Sequence, residues 1–255
     1  MSNTAFIAAR MGSERMPGKV LKKFAGIPSL VHIFNILNET KLVDDYAVLT
    51  SILPDDDPIE ELCIKNNVKV FRGPENDVLE RFKIAGEILK PERIIRVTGD
   101  DPLMDPEIID RVISDHIFSR CDYTSNMVER TYPRGMDTEV IEYKALEKCW
   151  NNNFDDIDEP DELDDDDREH VTLYIRRHPE LFSINSVKNE GEDNSDLRLC
   201  LDTEEDAELL TAIFNNLYKD RAIRLPEVLD FLKKFPELKN INSNIKQKPV
   251  KGKVY

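Results

Sequence analysis

The sequence predicts an α/β fold in which a mostly parallel sheet is flanked by helices. Short apolar runs alternate along the chain with stretches of helical periodicity, which is typical of strand–helix–strand units. Charged, glycine-containing loops directly follow two of those runs, after Ala9 and after Thr98, at the end of the strand where a parallel sheet binds ligands. No linker rich in Gly, Ser or Pro divides the 255 residues, so we expect one domain over residues 1–239.

The first half of the chain alternates strands with helices. Strands are predicted at Ala5–Ala9, Tyr46–Thr50, Val68–Arg72 and Ile94–Thr98. Helices are predicted over Leu30–Leu37, from Asp55–Pro58 onward, over Asp77–Leu89 and over 105–119. The acidic residues of Asp55–Pro58 suit a first helical turn, because they complement the positive end of the helix dipole.

The second half is more polar. Strands are predicted at the end of 132–141, at Leu181–Ile184 and at Leu197–Leu201, and helices from Arg168 to Pro179, over Ala207–Tyr218 and over Pro226–Phe235. Residues 151–167 are dominated by Asp and Glu, which predicts a self-repelling, solvated loop inserted into the domain. The Lys- and Asn-rich segment 240–255 predicts a flexible tail.

The loop between the first strand and the first helix is basic. It contains Arg10, Arg15 and Lys19 together with Gly12 and Gly18. Glycine lets backbone N–H groups approach an anion closely, and Arg and Lys neutralise its charge. The pattern indicates a polyphosphate site, with a loop that is merely solvated as the alternative.

Spacing excludes two common phosphate-binding motifs. A P-loop needs four residues between its glycines and then Lys followed by Ser or Thr. Here five residues separate Gly12 from Gly18, and Val20 stands where the metal-binding hydroxyl would be. The dinucleotide fingerprint G-x-G-x-x-G is also absent.

Two aspartates follow predicted strands. Asp100 lies in a turn after the fourth strand, on the same rim as the basic loop, and Asp202 follows the strand predicted at Leu197–Leu201. Each has an ordinary structural explanation, Asp100 as a turn residue and Asp202 as a helix cap.

Charged residues also mark the segment 132–141. Arg134, Asp137 and Glu139 are unusual on a plain strand, and their ordinary structural explanation is an exposed, ion-paired edge. His170 also has an ordinary structural explanation, as a neutral imidazole packed at the start of a helix.

The overall charge argues against nucleic acid as a partner. The formal net charge is −16 at pH 7, and proteins that bind nucleic acid generally need positive charge to neutralise phosphates. The first 28 residues are nevertheless locally basic, which favours a dedicated anion site over a generally basic surface.

The remaining sequence features indicate a cytoplasmic protein that does not bind membranes. The cysteines Cys63, Cys121, Cys149 and Cys200 show no C-x-x-C spacing, so we expect free thiols rather than a zinc or redox site. We find neither a signal-peptide pattern nor a run near the ~20 apolar residues that a membrane span needs.

Several ordered motifs resemble the sugar-acid cytidylyltransferases, which make CMP-linked sugars such as CMP-KDO and CMP-sialic acid. The likeness covers roughly Thr4–Asp220 and is strongest to the spore-coat polysaccharide biosynthesis F branch. The motifs that carry it are Ala-Ala-Arg-x-x-Ser-x-Arg-x-Pro-x-Lys over 8–19, Asn76–Phe82, Arg96–Met104, Tyr132–Glu139, Arg168–Thr172 and Leu201–Asp206.

The resemblance implies a single Rossmann-like, GT-A-like nucleotidyltransferase domain with a polar extension for acceptor binding or dimerisation. It implies transfer of CMP from CTP to a sugar acid, with release of pyrophosphate, by a homodimer. Asp100 and Asp202 match the Mg²⁺ ligands of the family. The nucleotide would be bound by Ala8, Ala9, Arg10, Gly12, Ser13, Arg15 and Lys19, of which Arg10 and Lys19 also act in catalysis with the two aspartates. The acceptor would be bound by Arg134, Asp137, Glu139 and His170.

Three alternatives remain open. One is a transferase that uses another nucleoside triphosphate and a sugar 1-phosphate. A second is a glycosyltransferase, whose usual Asp-x-Asp metal motif has close candidates in the acidic loop, such as Asp164–Asp167. The third is a non-catalytic protein that binds nucleotide sugars.

Overall fold

A seven-stranded, mostly parallel sheet organises the fold. The computed structural model describes residues 2–151 and 162–246, and within them the strand order is β5-β4-β1-β6-β8-β7-β9. The strands are β1 (Asn3–Ala8), β2 (Lys23–Phe24), β3 (Ile27–Pro28), β4 (Asp45–Ser51), β5 (Lys69–Gly73), β6 (Arg93–Thr98), β7 (Tyr123–Ser125), β8 (Glu139–Glu142) and β9 (Ile184–Ser186). Strands β2 and β3 form a separate antiparallel pair. The predicted α/β fold is confirmed.

Helices cover both faces of the sheet. They are α1 (Ser29–Glu39), α2 (Asp57–Lys65), α3 (Val78–Leu89), α4 (Pro106–Ser119), α5 (Tyr143–Asn151), α6 (Asp165–Glu169), α7 (Leu173–Arg177), α8 (Glu204–Leu217) and α9 (Leu225–Lys234). Helices α1, α2, α4, α8 and α9 pack into one apolar core, and α3, α5 and α7 into a second.

Alternation along the strands explains why there are two cores. In β1, Ala5 and Ile7 face the first core while Phe6 faces the second, because successive side chains of a strand point to opposite faces. Phe6 meets Phe82 of α3 edge to face, with ring centroids 5.4 Å apart. Strands buried on both faces read as continuous apolar runs, as the sequence of β1 does.

The strand order reverses beside β1. From β1 the chain steps to β4 and β5 on one side and then crosses to β6 on the other, with parallel pairing throughout. Ligands of open α/β sheets bind outside the carboxyl ends of the strands at such a reversal. The residues that follow Ala8 and Thr98 therefore meet at the rim where a ligand is expected.

Two predicted strands of the second half are wrong. The segment predicted at Leu181–Ile184 pairs only from Ile184, where β9 begins. The segment Leu197–Leu201 is extended but forms only a single bridge, between Arg134 and Arg198. Its backbone groups bond to the loops that contain Arg134 and Asp100 rather than to a strand. The apolar pattern alone therefore predicted a strand where the described chain offers no neighbouring strand to pair with.

Strand β8 is not an edge strand. It lies between β6 and β7 and is antiparallel to both, and Glu139 is 1% exposed. The explanation of its charged residues as an exposed, ion-paired edge is therefore wrong.

The described ends of the acidic loop and of the predicted tail are ordered. Residues 152–161 of the loop lie outside the described part, but Asp164 and Asp167 form a capping box at the start of α6. The tail prediction for 247–255 also falls outside it, whereas Asn242 is 4% exposed. The helix predicted from Arg168 to Pro179 is broken at Val171, which has a φ of 25°.

The four cysteines are free, as predicted. Cys63 and Cys149 are buried, and burial raises the pKa of the Cys63 thiol to about 12. Cys121 and Cys200 are half-buried.

Candidate functional site

The basic loop is a compact turn that follows β1. The carbonyl of Met11 accepts hydrogen bonds from the N–H groups of both Ser13 and Gly18, each at 2.9 Å. Gly18 has a φ of 72°, a backbone conformation that favours glycine. The buried carboxylate of Asp56 ties the loop to β4, since it accepts from the N–H groups of Met11 at 2.6 Å and Ser51 at 3.0 Å. The cations of the loop are therefore presented by a fixed backbone.

Two carboxylates meet at the carboxyl end of β6. Asp100 lies in the turn after the strand, and its carbonyl accepts the N–H of Leu201 at 2.7 Å. This backbone bond brings Asp202 beside Asp100. Helix α8 is capped by Thr203 and Asp206, so Asp202 is not the helix cap and its side chain is available for other contacts.

Lys19 joins the two carboxylates. Its Nζ lies 2.6 Å from Asp100 Oδ2 and 3.0 Å from Asp202 Oδ1. Arg15 also contacts Asp202 Oδ2. Burial opposes the ionisation of Asp100, but the Lys19 ammonium outweighs it and lowers the pKa of Asp100. Both carboxylates thus point to one position that a cation can share.

A cavity of about 360 Å³ opens above these groups. Of the predicted nucleotide-binding residues it is lined by all except Gly12, and both aspartates line it too. The side chain or backbone of each of these residues contributes to the wall: Ala8, Ala9, Arg10, Ser13, Glu14, Arg15, Lys19, Val20, Val78, Arg81, Arg96, Thr98, Gly99, Asp100, Glu169, His170 and Asp202. Gly99 packs closely against β1, because a Cβ there would lie 3.0 Å from that of Ala9.

Arg81 is a cation of this cavity to which sequence reasoning gave no role. It is 2% exposed, and its Nε and Nη1 atoms are buried without a hydrogen-bond partner in the described part of the chain. Burial, and then the nearby Arg10, lower the pKa of the Arg81 guanidinium. A buried cation without hydrogen-bond partners is costly to maintain, which points to a ligand that supplies acceptors.

Arg96 is a second such cation. It pairs with the buried carboxylate of Glu139, which outweighs the opposing effect of burial and raises the pKa of Arg96. Its Nε has no partner among residues 2–151 and 162–246. Arg81 in α3 and Arg96 in β6 both lie on faces that the sequence pattern predicts to be buried. A charged residue on a predicted buried face was the signal that could have identified them.

The four predicted acceptor residues do not form one group. Only His170 lines the cavity, and burial lowers its pKa. Glu139 lies beneath the wall, where it accepts from Tyr123 Oη at 2.8 Å and Thr172 Oγ1 at 2.6 Å as well as from Arg96. Asp137 forms a bidentate pair with Arg130, at 2.5 and 2.9 Å. Arg134 lines a separate cavity of about 100 Å³.

The carboxylate pair fits a magnesium ion that is completed by substrate oxygens. Mg²⁺ usually takes one or two carboxylates and fills its other positions with phosphate and water. In the described chain, no three His, Cys, Asp or Glu side chains are grouped to hold a metal ion. The residues therefore supply a partial shell of two hard oxygen donors, as a metal–nucleotide site requires.

Sequence comparison identifies the family. The sequence model of the cytidylyltransferases matches residues 4–247, which include every residue of the site described above. The chain belongs to the cytidylyltransferase family. The likeness that the motifs indicated is thereby confirmed, and so is membership of a family of enzymes.

Two relatives align with this cytidylyltransferase over nearly their whole length. The spore coat polysaccharide biosynthesis protein SpsF of Bacillus subtilis is 36% identical over 236 residues, covering 91% of this chain and 94% of its own. A solved structure of a cytidylyltransferase from Leptospira borgpetersenii has a TM-score of 0.86 at 31% identity, with 98% of this chain and 100% of that chain covered.

A third relative matches over less than half of its length. The 3-deoxy-manno-octulosonate cytidylyltransferase of Marinobacter nauticus is 34% identical over 117 residues, which is 44% of this chain and 43% of its own. The likeness to the spore-coat protein therefore extends further along the chain than the likeness to this enzyme.

None of the helices in the described part is long and apolar enough to cross a membrane.

Proposed function

We propose that this cytidylyltransferase transfers CMP from CTP to a hydroxyl group of a sugar acid, releasing pyrophosphate, for the synthesis of a surface polysaccharide or glycan. The observation that carries the proposal is that Asp100 and Asp202 converge on one cation. Their carboxylate oxygens lie 2.6 and 3.0 Å from Lys19 Nζ, beside the basic loop at the carboxyl ends of β1 and β6. Such a site suits a nucleoside triphosphate with a divalent ion.

In the proposed reaction, an acceptor oxygen attacks the α-phosphorus of CTP. The bond from that phosphorus to the oxygen that bridges it to the β-phosphate breaks, pyrophosphate takes the bonding electrons, and the hydroxyl proton passes to solvent. Arg10, Arg15 and Lys19 hold the outer phosphates and match the charge that leaves with them. Mg²⁺ held by Asp100 and Asp202 would neutralise charge on the α-phosphate.

Arg81 supports CTP as the nucleotide. Cytosine presents two neighbouring acceptors, O2 and N3, whereas uracil carries a hydrogen on N3. A guanidinium offers parallel donors that suit an adjacent pair of acceptors. We propose that Arg81 donates to the cytosine of CTP through Nη2 and one of the two donors that lack partners in the described chain, Nε or Nη1.

The choice of a sugar acid rests on hydrogen-bond donors beyond those that the triphosphate needs. Arg96 and His170 line the cavity in addition to the three basic-loop residues. An acid group on the acceptor would complement them. The substrate in the name of the Marinobacter relative, 3-deoxy-manno-octulosonate, is also a sugar acid. We keep Arg134 and Asp137 as proposed acceptor-binding residues, although neither lines the cavity.

Within the described residues, structural contacts account for the Asp164–Asp167 candidate for a glycosyltransferase metal motif. Asp164 and Asp167, which belong to the candidate Asp-x-Asp segment, cap α6 and pair with Arg177 at 2.9 and 3.0 Å. Transfer from another nucleoside triphosphate to a sugar 1-phosphate remains the second candidate, because a basic loop binds any triphosphate.

Pyrophosphate release tests the proposal directly. Each of the four nucleoside triphosphates would be offered with Mg²⁺ to a panel of sugar acids and, as the matched control, to sugar 1-phosphates. We expect release only with CTP and an acid sugar. Release with UTP or GTP and a sugar 1-phosphate would favour the second candidate, and an absence of release from every pair would contradict the proposal.

We further propose a homodimer that works in the cytoplasm, where CTP is made. Strand β9 is a sheet edge, and beside it Val128, Pro179 and Ile184 line an apolar cavity of about 520 Å³. Twofold dimers are the commonest oligomers. Light scattering at micromolar concentration should give twice the chain mass, and a monomer mass would contradict the dimer.

A further inference from the structure

A buried polar cluster stands behind Asp202, on the side away from the cavity. It consists of Arg198, Asp206 and Asn242, whose side chains are buried to 7%, 0% and 4% exposure. Arg198 Nε lies 2.9 Å from Asp206 Oδ1, and its Nη2 lies 3.0 Å from Asp206 Oδ2. Asp206 and Asn242 do not line the cavity, and the reaction proposed above gives neither a direct contact with substrate.

The cluster fixes both ends of Asp202. The backbone N–H of Asp202 donates to Asp206 Oδ2 at 3.1 Å, and Arg198 Nη2 donates to Asp202 Oδ2 at 3.3 Å. The second oxygen, Oδ1, faces Lys19 Nζ at 3.0 Å. Arg15 also contacts Oδ2, so Arg198 and Arg15 together hold that oxygen. Asp206 fixes the main chain, and Oδ1 is left facing the cation position.

Asn242 holds the cluster together from a distant part of the sequence. Its Nδ2 lies 2.9 Å from the carbonyl oxygen of Arg198 and 2.9 Å from Asp206 Oδ1. Both partners can only accept hydrogen bonds, so the amide must present its NH₂ group to them. One side chain thereby uses two donors to fix the main chain at Arg198 and the carboxylate of Asp206.

We propose that Asn242 is a positioning residue for Asp202. Through Arg198 and Asp206 it holds the Asp202 carboxylate in the orientation that the metal–nucleotide site uses. The value of that orientation rests on the proposed function. Partners that orient a metal ligand from behind typically change metal affinity or activity by about 10- to 100-fold when removed.

The test compares Asn242→Ala with Asn244→Ala, a matched change at an exposed asparagine two positions later in the same segment. Amide hydrogen exchange measures, without any substrate, how firmly the backbone at Asp202 is held. We expect faster exchange at Asp202 and Thr203, whose N–H groups donate to Asp206, while the later turns of α8 exchange as in the unchanged protein. The Asn244→Ala protein should match the unchanged protein throughout.

Kinetics read the effect on the site. In Asn242→Ala the Mg²⁺ concentration for half-maximal rate should rise about 10-fold, with kcat largely recovered at saturating Mg²⁺. Asn242→Asp keeps the size but turns a donor into an acceptor against Asp206, so its effect should exceed that of the alanine change. Unchanged exchange at Asp202 and Thr203 would overturn the inference. So would uniformly faster exchange through α8 with the same loss of rate at every Mg²⁺ concentration, because that is the signature of general destabilisation.

The experiments distinguish a failure of the proposed function from a failure of the positioning role of Asn242. If the unchanged protein turns over no CTP, the proposed function fails, but the exchange comparison still decides whether Asn242 positions Asp202.

Discussion

Lys19 and Asp100 form an ion pair across the rim of the sheet, with 2.6 Å between Nζ and Oδ2. The lysine comes from the loop after β1 and the aspartate from the turn after β6, two strands that pair along their full length. Neither side chain is more than about one third exposed, at 12% and 29%, so solvent screens the pair only in part. The pair joins the region proposed for the triphosphate to the region proposed for the metal ion.

Replacing Lys19 by alanine should impair both binding and turnover. The ammonium is proposed to contact the outer phosphates in the ground state and to match the charge of the departing pyrophosphate, so the apparent KM for CTP should rise and kcat should fall. Steady-state kinetics at fixed Mg²⁺ measures both. Lys22→Ala is the matched control, because Lys22 lies three positions later and pairs with the exposed Glu204 instead. Equal kinetics for Lys19→Ala and the control would contradict the role of Lys19.

Replacing either aspartate by asparagine should mainly lower kcat. Asp100→Asn and Asp202→Asn each remove one proposed oxygen ligand, and a lost electrostatic stabiliser typically lowers kcat about 100-fold or more. Mg²⁺ should also cease to tighten CTP binding, which calorimetric titration with and without the metal can measure. Asp196→Asn, a change at an exposed aspartate, is the control. Wild-type turnover in Asp202→Asn at ordinary Mg²⁺ would show that the two-carboxylate site is wrong.

Replacing Arg81 by methionine should stabilise the free protein while weakening nucleotide binding. Exchanging buried charge for an apolar side chain of similar size is often stabilising, by about 1 kcal/mol or more. In a domain of this size such a gain raises Tm by about 2 °C or more. The additional rise in Tm on adding CTP and Mg²⁺ should shrink, because the proposed contact with the base is lost.

The control for Arg81 is Lys83→Met on the same helix. Lys83 faces Glu80 at 4.0 Å near the surface, and neither its Tm nor its CTP response should change comparably. If Arg81→Met lowers Tm and keeps the full response to CTP, Arg81 is a structural cation and does not contact the nucleotide.

Acid should destabilise the protein partly through His32. This side chain is 3% exposed, and its Nε2 lies 2.9 Å from the Phe24 carbonyl oxygen. Burial lowers the pKa of His32 below its usual 6.5, so on acidification the unfolded chain takes up a proton before the folded chain does. The stability contribution is complete above 6.5 and is lost as pH falls through the lower folded-state pKa.

Thermal unfolding of His32→Phe at several pH values checks this. The aromatic ring keeps the packing on Phe214, whose centroid lies 4.4 Å away, while the titrating group is removed. We expect a smaller loss of Tm between about pH 7.5 and pH 5.5 than in the unchanged protein. Parallel curves for the two proteins would contradict the assignment.

The sequence was sufficient for most of the sheet and for one side of the site. The basic loop, Asp100 and Asp202 could be located because each follows an apolar run, and the carboxyl ends of parallel strands meet at one rim. The order of β8, β7 and β9 could not be predicted, since their runs are short and their pairings antiparallel or long-range.

Arg81 and Arg96 show what a local pattern leaves out. Arg81 shares a helix face with Val78 and Phe82, and Arg96 alternates with Ile95 and Val97, so the local pattern does not show what surrounds either guanidinium. Their burial depends on elements far away in the chain, such as the strand that supplies Glu139 to Arg96. Long-range contacts of this kind are set by tertiary packing rather than by local periodicity.

The hydrogen bond from Leu201 to Asp100 makes the site a late product of protein synthesis. A chain emerging from the ribosome would already contain the basic loop, β1, β6 and Asp100 while Leu201 and Asp202 were still untranslated. Domains generally fold as units, so the site is completed only after the segment that carries Leu201 and Asp202 has been made. Such a nascent chain would have the cations for a triphosphate but only one of the two carboxylates. The proposed turnover of CTP would therefore begin only after nearly the whole domain had been synthesised.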